Sequence, residues 1–211
     1  MKTKTLTAAF AAATLSFGAQ AALLNFDDSS LSDGTTLSSY GGMTWKNIGI
    51  ATPGSNTNYN NTGFVNGLKS APNVAASQTG TAAASFGTTQ GFLLNSGWFT
   101  SASLNGLILD FTGTSGATKF SKSVTLSVLQ PLFVKFDWTI DELVMATRCE
   151  TGTNNDCTRQ PDTLDFGQRF VMDDLSIGDS NNTVPEPGVL ALLGASLLGM
   201  TLLRRRGTPA A

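Results

Sequence analysis

The chain has no histidine and only two cysteines among 211 residues. Without histidine, neither a Ser-His-Asp nor a Cys-His nucleophile can be assembled, and no His-ligated metal site can form. There is no glycine-rich phosphate loop and no dinucleotide fingerprint. No basic stripe interrupts the acidic balance, which excludes an ordinary nucleic-acid interface. Between residues 22 and 183 no stretch carries a helical period. What remains is a Gly/Ser/Thr-rich middle with a distinctive segment at each end.

At the N-terminus, Lys2 and Lys4 precede an apolar stretch over residues 6–19 and then Ala19-Gln20-Ala21. A basic start, an apolar stretch and an A-x-A site make a secretory signal peptide over residues 1–21, cut after Ala21. A core helix is the alternative, but it would lack a polar face. At the other end, residues 188–203 contain no charge, and Arg204, Arg205 and Arg206 follow. A helix of that length spans roughly 24 Å, slightly short of a hydrocarbon core. A basic cluster beside such a segment stays cytoplasmic. The expectation is a single transmembrane helix over residues 188–203 that places the preceding domain outside and residues 204–211 inside. A buried C-terminal helix is the competing reading, and the arginine triplet argues against it.

Val184-Pro185-Glu186-Pro187, the Gly/Leu-rich apolar segment and the terminal arginines occur in that order. Together they resemble the PEP-CTERM sorting signal. The resemblance implies an exosortase-type processing enzyme as partner, acting in bacteria that make exopolysaccharide. It also implies a transient membrane anchor and a final place at the cell surface or in the extracellular matrix. The prolines suit such a site, since they fix φ, remove N–H donors and keep residues 184–187 extended for a protease cleft.

Residues 22–178 are about right for one domain, with residues 179–187 as linker. Of the 13 Lys and Arg, five lie in the two end segments; of the 15 Asp and Glu, only Glu186 lies beyond residue 183. Eight basic and 14 acidic residues leave residues 22–183 a formal charge near −6. Along this domain the pattern has period two. Val124, Leu126 and Val128 alternate with Ser123, Thr125 and Ser127. Leu132, Val134, Phe136 and Trp138 alternate with Phe133, Lys135 and Asp137, and Leu107, Leu109 and Phe111 with Ile108 and Asp110. Such alternation makes half-buried strands, and the Gly/Asn/Pro clusters between them make turns. The fold class expected is an all-β antiparallel β-sandwich, a jelly roll, followed by the C-terminal transmembrane helix. Cys149 and Cys157 bracket a Gly/Asn loop and form a disulfide in an oxidising compartment. Paired zinc ligands are the rival, with no further cysteine to complete them.

The scattered motifs "FDD", "YGGMTWKN", "NSGWFTSA", "LFVKFDWTIDEL" and "FVMDDLSI" are similar to those of galactose-binding-like jelly rolls among carbohydrate-binding modules. This resemblance implies a sandwich and hints at polysaccharide as a partner.

Four groups of residues are candidates for function. The strand "LLNFDD" ends in Asp27 and Asp28, and the last strand changes phase at Asp173 and Asp174. Either a bulge resets the phase or a carboxylate points inward. If first and last strands pair, the four carboxylates could converge on Ca²⁺, with solvated turns as the alternative. Asp137, Asp141 and Glu142 suggest paired glycosidase carboxylates. On one strand, however, Asp137 and Asp141 would stand about 13 Å apart. A turn near Thr139-Ile140 and a new strand at Glu142 explain these charges without catalysis. Trp45, Trp98, Trp138, Tyr40 and Tyr59 are the rings a sugar platform would use. Of these, Trp138 belongs with the core, while Trp98 and Tyr59 are the surface candidates for ligand binding. The function expected is an exported, non-catalytic surface or matrix protein that contacts exopolysaccharide. A carbohydrate-active enzyme and a protein-binding adhesin are the alternatives.

Overall fold

The period-two segments become strands in the computed structural model, which describes residues 21–150, 157–159, 161 and 165–179. The expected signal sequence before residue 21, the sorting motif, the apolar helix and the arginine triplet lie outside the described residues. Among those residues no helix is long and apolar enough to cross a membrane. In chain order the strands are β1 (Ala22–Leu24), β2 (Thr36–Tyr40), β3 (Met43–Ala51), β4 (Val74–Ser77), β5 (Ala84–Ser101), β6 (Leu104–Asn105), β7 (Leu107–Ser115), β8 (Thr118–Leu126), β9 (Leu132–Arg148), β10 (Thr158–Arg159) and β11 (Phe170–Asp179). The only α-helix among the described residues is the single turn α1 (Gly63–Asn66).

Every strand pairing is antiparallel, as the expected sandwich requires. The main sheet runs β1-β11-β4-β3-β5-β9-β7-β8, with β2 on β3 and a further pairing of β11 with β5. Two layers result because the long strands change partners. β3 pairs with β5 over Thr44, Trp45 and Lys46, then with β4 from Ile48 onward. At the changeover Asn47 has φ 54°, and its amide donates to the carbonyls of Thr79 and Ala82. β5 pairs through Ala84–Gly87 with the C-terminal half of β9, and through Phe92–Phe99 with its N-terminal half.

Between the layers lie Phe26, Trp45, Phe86, Phe92, Phe99, Phe111 and Phe136 with Leu94, Leu107, Leu109, Ile140 and Leu143. Their rings pack at offset or edge-on angles, such as Trp45 on Phe86 at 4.5 Å and Phe99 against Phe111 at 4.9 Å. Each such side chain, fully buried, stabilises the fold by about 1.5–3 kcal/mol. Cys149 and Cys157 are bonded, with Cα atoms 5.5 Å apart, and both pack against this core. Trp138 is half-buried against Phe120 and Phe136, as its parity implied.

Two local expectations need correction. β9 is continuous from Leu132 to Arg148, so no turn occurs at Thr139-Ile140. The strain sits instead at a bulge where Asp137 adopts φ 53° and the register with β5 slips. The first strand ends at Leu24, before Asp27 and Asp28, because Phe26 turns to φ 61° to enter the core. On β11 the two alternatives for the phase change coexist. Asp174 bulges out at φ 49°, so Phe170, Met172, Leu175 and Ile177 all reach the main core. Asp173 is buried too, but on the opposite face of the sheet.

Candidate functional site

That opposite face, formed by β3, β4, β11 and part of β5, is covered by the segment between β3 and β4. Small residues there make room for it. Gly63 has no space for a side chain, since a Cβ would stand 1.8 Å from the Ser101 carbonyl oxygen. Its N–H donates to Ala102 O at 2.8 Å, which docks α1 on the sheet. Thr62 caps α1 by accepting from Phe64 N–H, as N-cap threonines do. Phe64, Val74, Ala76, Ala102 and Val171 form a second, smaller core beneath it, with Tyr59, Leu68 and Phe166 packed against them.

Beside this small core lies a cavity of about 270 Å³. Gly49, Ala51 and Ala76 lie on its sheet side, while Tyr59, Phe64 and Phe166 supply aromatic walls. The three rings cluster, with centroids 4.6 Å apart for Tyr59–Phe64 and 4.9 Å for Phe64–Phe166. Tyr59 is fixed by its place in the short 3-10 turn Thr57–Tyr59 and by its hydroxyl, which donates to Asp33 Oδ1 at 2.8 Å. Burial, and then the hydrogen bond to Asp33, push that hydroxyl up to about 12, so it stays protonated at every physiological pH. Gln78 and Arg169 are the long polar side chains of the lining. An apolar ring wall with a few converging polar groups is the usual composition of a small-ligand site.

Of the sequence candidates, Tyr59 therefore lines a cavity. Trp98 does not join it. The indole is half-buried beside Phe133, 5.1 Å away, and the Lys69 ammonium sits 4.3 Å above its ring. Trp45 is core, with its indole N–H donating to Tyr40 O. The cavity's Gln78, Phe166 and Arg169 were not legible as site residues, since nothing local in the sequence places them near Tyr59; Phe64 lies only five residues on but reads as an ordinary core position.

β1 and β11 pair, as expected, yet the four aspartates do not gather around a common point. Asp173 Oδ2 accepts from Lys69 N–H at 2.8 Å and Ser70 N–H at 3.0 Å, and its Oδ1 accepts from Asp174 N–H at 2.8 Å. Asp174 accepts from the Ser70 hydroxyl at 3.0 Å. Asp27 accepts from Asn73 N–H at 2.9 Å, and Asp28 faces the Tyr40 hydroxyl. Among the described residues no three carboxylates or thiolates lie close enough together to hold a metal ion. Three N–H donors satisfy the buried carboxylate, as a buried charge requires. Burial still pushes Asp173 up to about 7, against the pull of the three N–H groups and with a small addition from Asp174.

Asp141 and Glu142 both line another cavity, of about 330 Å³, together with Thr44, Lys46 and Ser85. Asp141 Oδ2 is already engaged by Gly116 N–H at 2.9 Å. Asp137 is exposed and does not line this cavity.

Residues 183–206 match the family model described as the PEP-CTERM protein-sorting motif. The chain thus carries the signal of an exported protein directed to exosortase and processed at the membrane. No curated protein matches the sequence. Among solved structures the chain is similar to TmCBM61 in complex with β-1,4-galactotriose, at 9% identity and TM-score 0.39, over 67% of this chain and 91% of that one.

Proposed function

We propose that the chain is an exported, non-catalytic protein of the cell surface or extracellular matrix that binds polysaccharide in the Tyr59–Phe166 cavity. Exosortase-type processing near Pro185-Glu186-Pro187 releases it from a transient anchor formed by residues 188–203. The observation that carries the binding reading is the cavity itself. Tyr59 and Phe166 are half-buried rings that flank an open hollow of about 270 Å³ with Gln78 and Arg169 beside them. Ring faces stack on the apolar faces of sugars, and amide and guanidinium groups suit hydroxyls.

A second reading is kept because Asp141 and Glu142 share a cavity. In that case the domain would cleave glycosidic bonds with this pair of carboxylates as acid and base. The two readings separate when the full chain is incubated with the exopolysaccharide of the producing cells. Retention without new reducing ends supports binding; release of reducing ends, abolished by Asp141→Asn, makes the protein an enzyme. Retention of neither kind leaves a structural or adhesin role.

A further inference from the structure

The polar groups of the Tyr59 cavity differ in how far they are already used. Ser77 Oγ accepts from Phe170 N–H at 3.1 Å, Gln78 Nε2 donates to Thr36 Oγ1 at 2.6 Å, and the Tyr59 hydroxyl donates to Asp33. Arg169 is the exception. The residue is half-buried, and its guanidinium lies close enough to Tyr59 for its charge to act on that hydroxyl. It makes no hydrogen bond or ion pair among the described residues. It is also the single charged residue of the lining, in a domain whose formal charge is near −6. A partly desolvated guanidinium presents donors in a rigid fork, and its strongest complement is a carboxylate bound through two parallel hydrogen bonds.

From this we infer that the cavity selects an acidic saccharide residue, a uronate or another carboxylate-bearing sugar. The sugar's apolar face lies on the Tyr59–Phe166 wall and its carboxylate is held by Arg169. The inference rests on the polysaccharide reading above and adds the class of sugar. Asp33 is absent from the lining and its Oδ1 is engaged by the Tyr59 hydroxyl and Thr52 N–H, yet its charge remains and the Arg169 contact has to outweigh it. The overall negative charge repels a polyanion at long range, so capture depends on this one local contact, which salt screens less than it does the distant repulsion.

The test uses the full chain and the exopolysaccharide of the producing cells in two forms, native and with its carboxyl groups chemically reduced to alcohols. Native polymer should bind about ten- to a hundredfold more tightly than reduced polymer, the scale of one charge-assisted contact. Arg169→Gln should erase that preference by weakening the native polymer far more than the reduced one. Arg169→Lys, which keeps the charge without the fork, should restore part of it, and an unchanged melting temperature shows that both variants are folded. Equal binding of the two polymers by the wild-type chain overturns the acidic-sugar inference and leaves polysaccharide binding standing. A preference that survives Arg169→Gln also overturns it. Binding of neither polymer overturns the polysaccharide reading itself.

Discussion

Asp173 on β11 stands directly in register with Trp98 on β5, and the loop that buries the one also covers the other. Lys69 gives its backbone N–H to the Asp173 carboxylate and lays its ammonium 4.3 Å above the Trp98 ring. A fully buried carboxylate thus fixes the loop that occupies the aromatic face most open to view in the sequence. One face of the Trp98 indole is thereby covered by Lys69.

The same carboxylate makes stability depend on pH in a defined direction. Its pKa is raised from 3.8 to about 7, chiefly by burial. Between these values the folded chain holds a proton that the unfolded chain has lost. The stabilisation is therefore complete below about pH 4 and is lost as pH rises through about 7. Comparison with Asp173→Asn cancels the other titrating groups. The wild-type unfolding free energy, measured in urea relative to the variant, should fall between pH 4.5 and 7.5 with a slope of at most about 1.4 kcal/mol per unit. A difference that rises with pH would show that the three N–H donors outweigh burial.

The strands were legible because period two survives wherever one face is buried. Leu107, Leu109, Phe111, Val134 and Phe136 are buried on their expected side, while Leu132 at the start of β9 is exposed. The bends were not legible. Those at Asn47 and Asp137 rest on positive φ at residues that read as ordinary strand positions until their long-range partners are known, whereas the bulge at Asp174 showed in the phase change of the last strand. The cavity was half legible. Tyr59 drew notice as a ring in an Asn-rich loop, but Phe166 and Arg169 reach it only through the pairing of β11 with β4 and β5.

Reduction of the Cys149–Cys157 bridge should destabilise the domain without unfolding it. Eight residues of separation give a short closed loop, worth roughly 2 to 3 kcal/mol in chain entropy. For a domain of this size that corresponds to a fall in melting temperature of roughly 4–12 °C in reductant. No fall at all would mean that the bridge does not stabilise the fold by restricting the unfolded chain.

Calcium should leave the domain indifferent. Asp27 and Asp28 engage Asn73 and Tyr40, whereas Asp173 and Asp174 share Ser70, so the four carboxylates do not form one cluster. Melting curves in millimolar calcium and in chelator should superimpose. A loss of several degrees in chelator would mean that these carboxylates rearrange around the ion, since a ligand specific to the folded state raises its stability.

The most direct test of the account is a calorimetric titration of the full chain with the exopolysaccharide of the producing cells, repeated on Tyr59→Ala and Trp98→Ala. Because Tyr59 walls the cavity and Trp98 lies under Lys69, the account predicts saturable binding that weakens about tenfold or more in Tyr59→Ala and is unchanged in Trp98→Ala. Binding that survives Tyr59→Ala and vanishes in Trp98→Ala would contradict it and move the site to the face of β5 and β9.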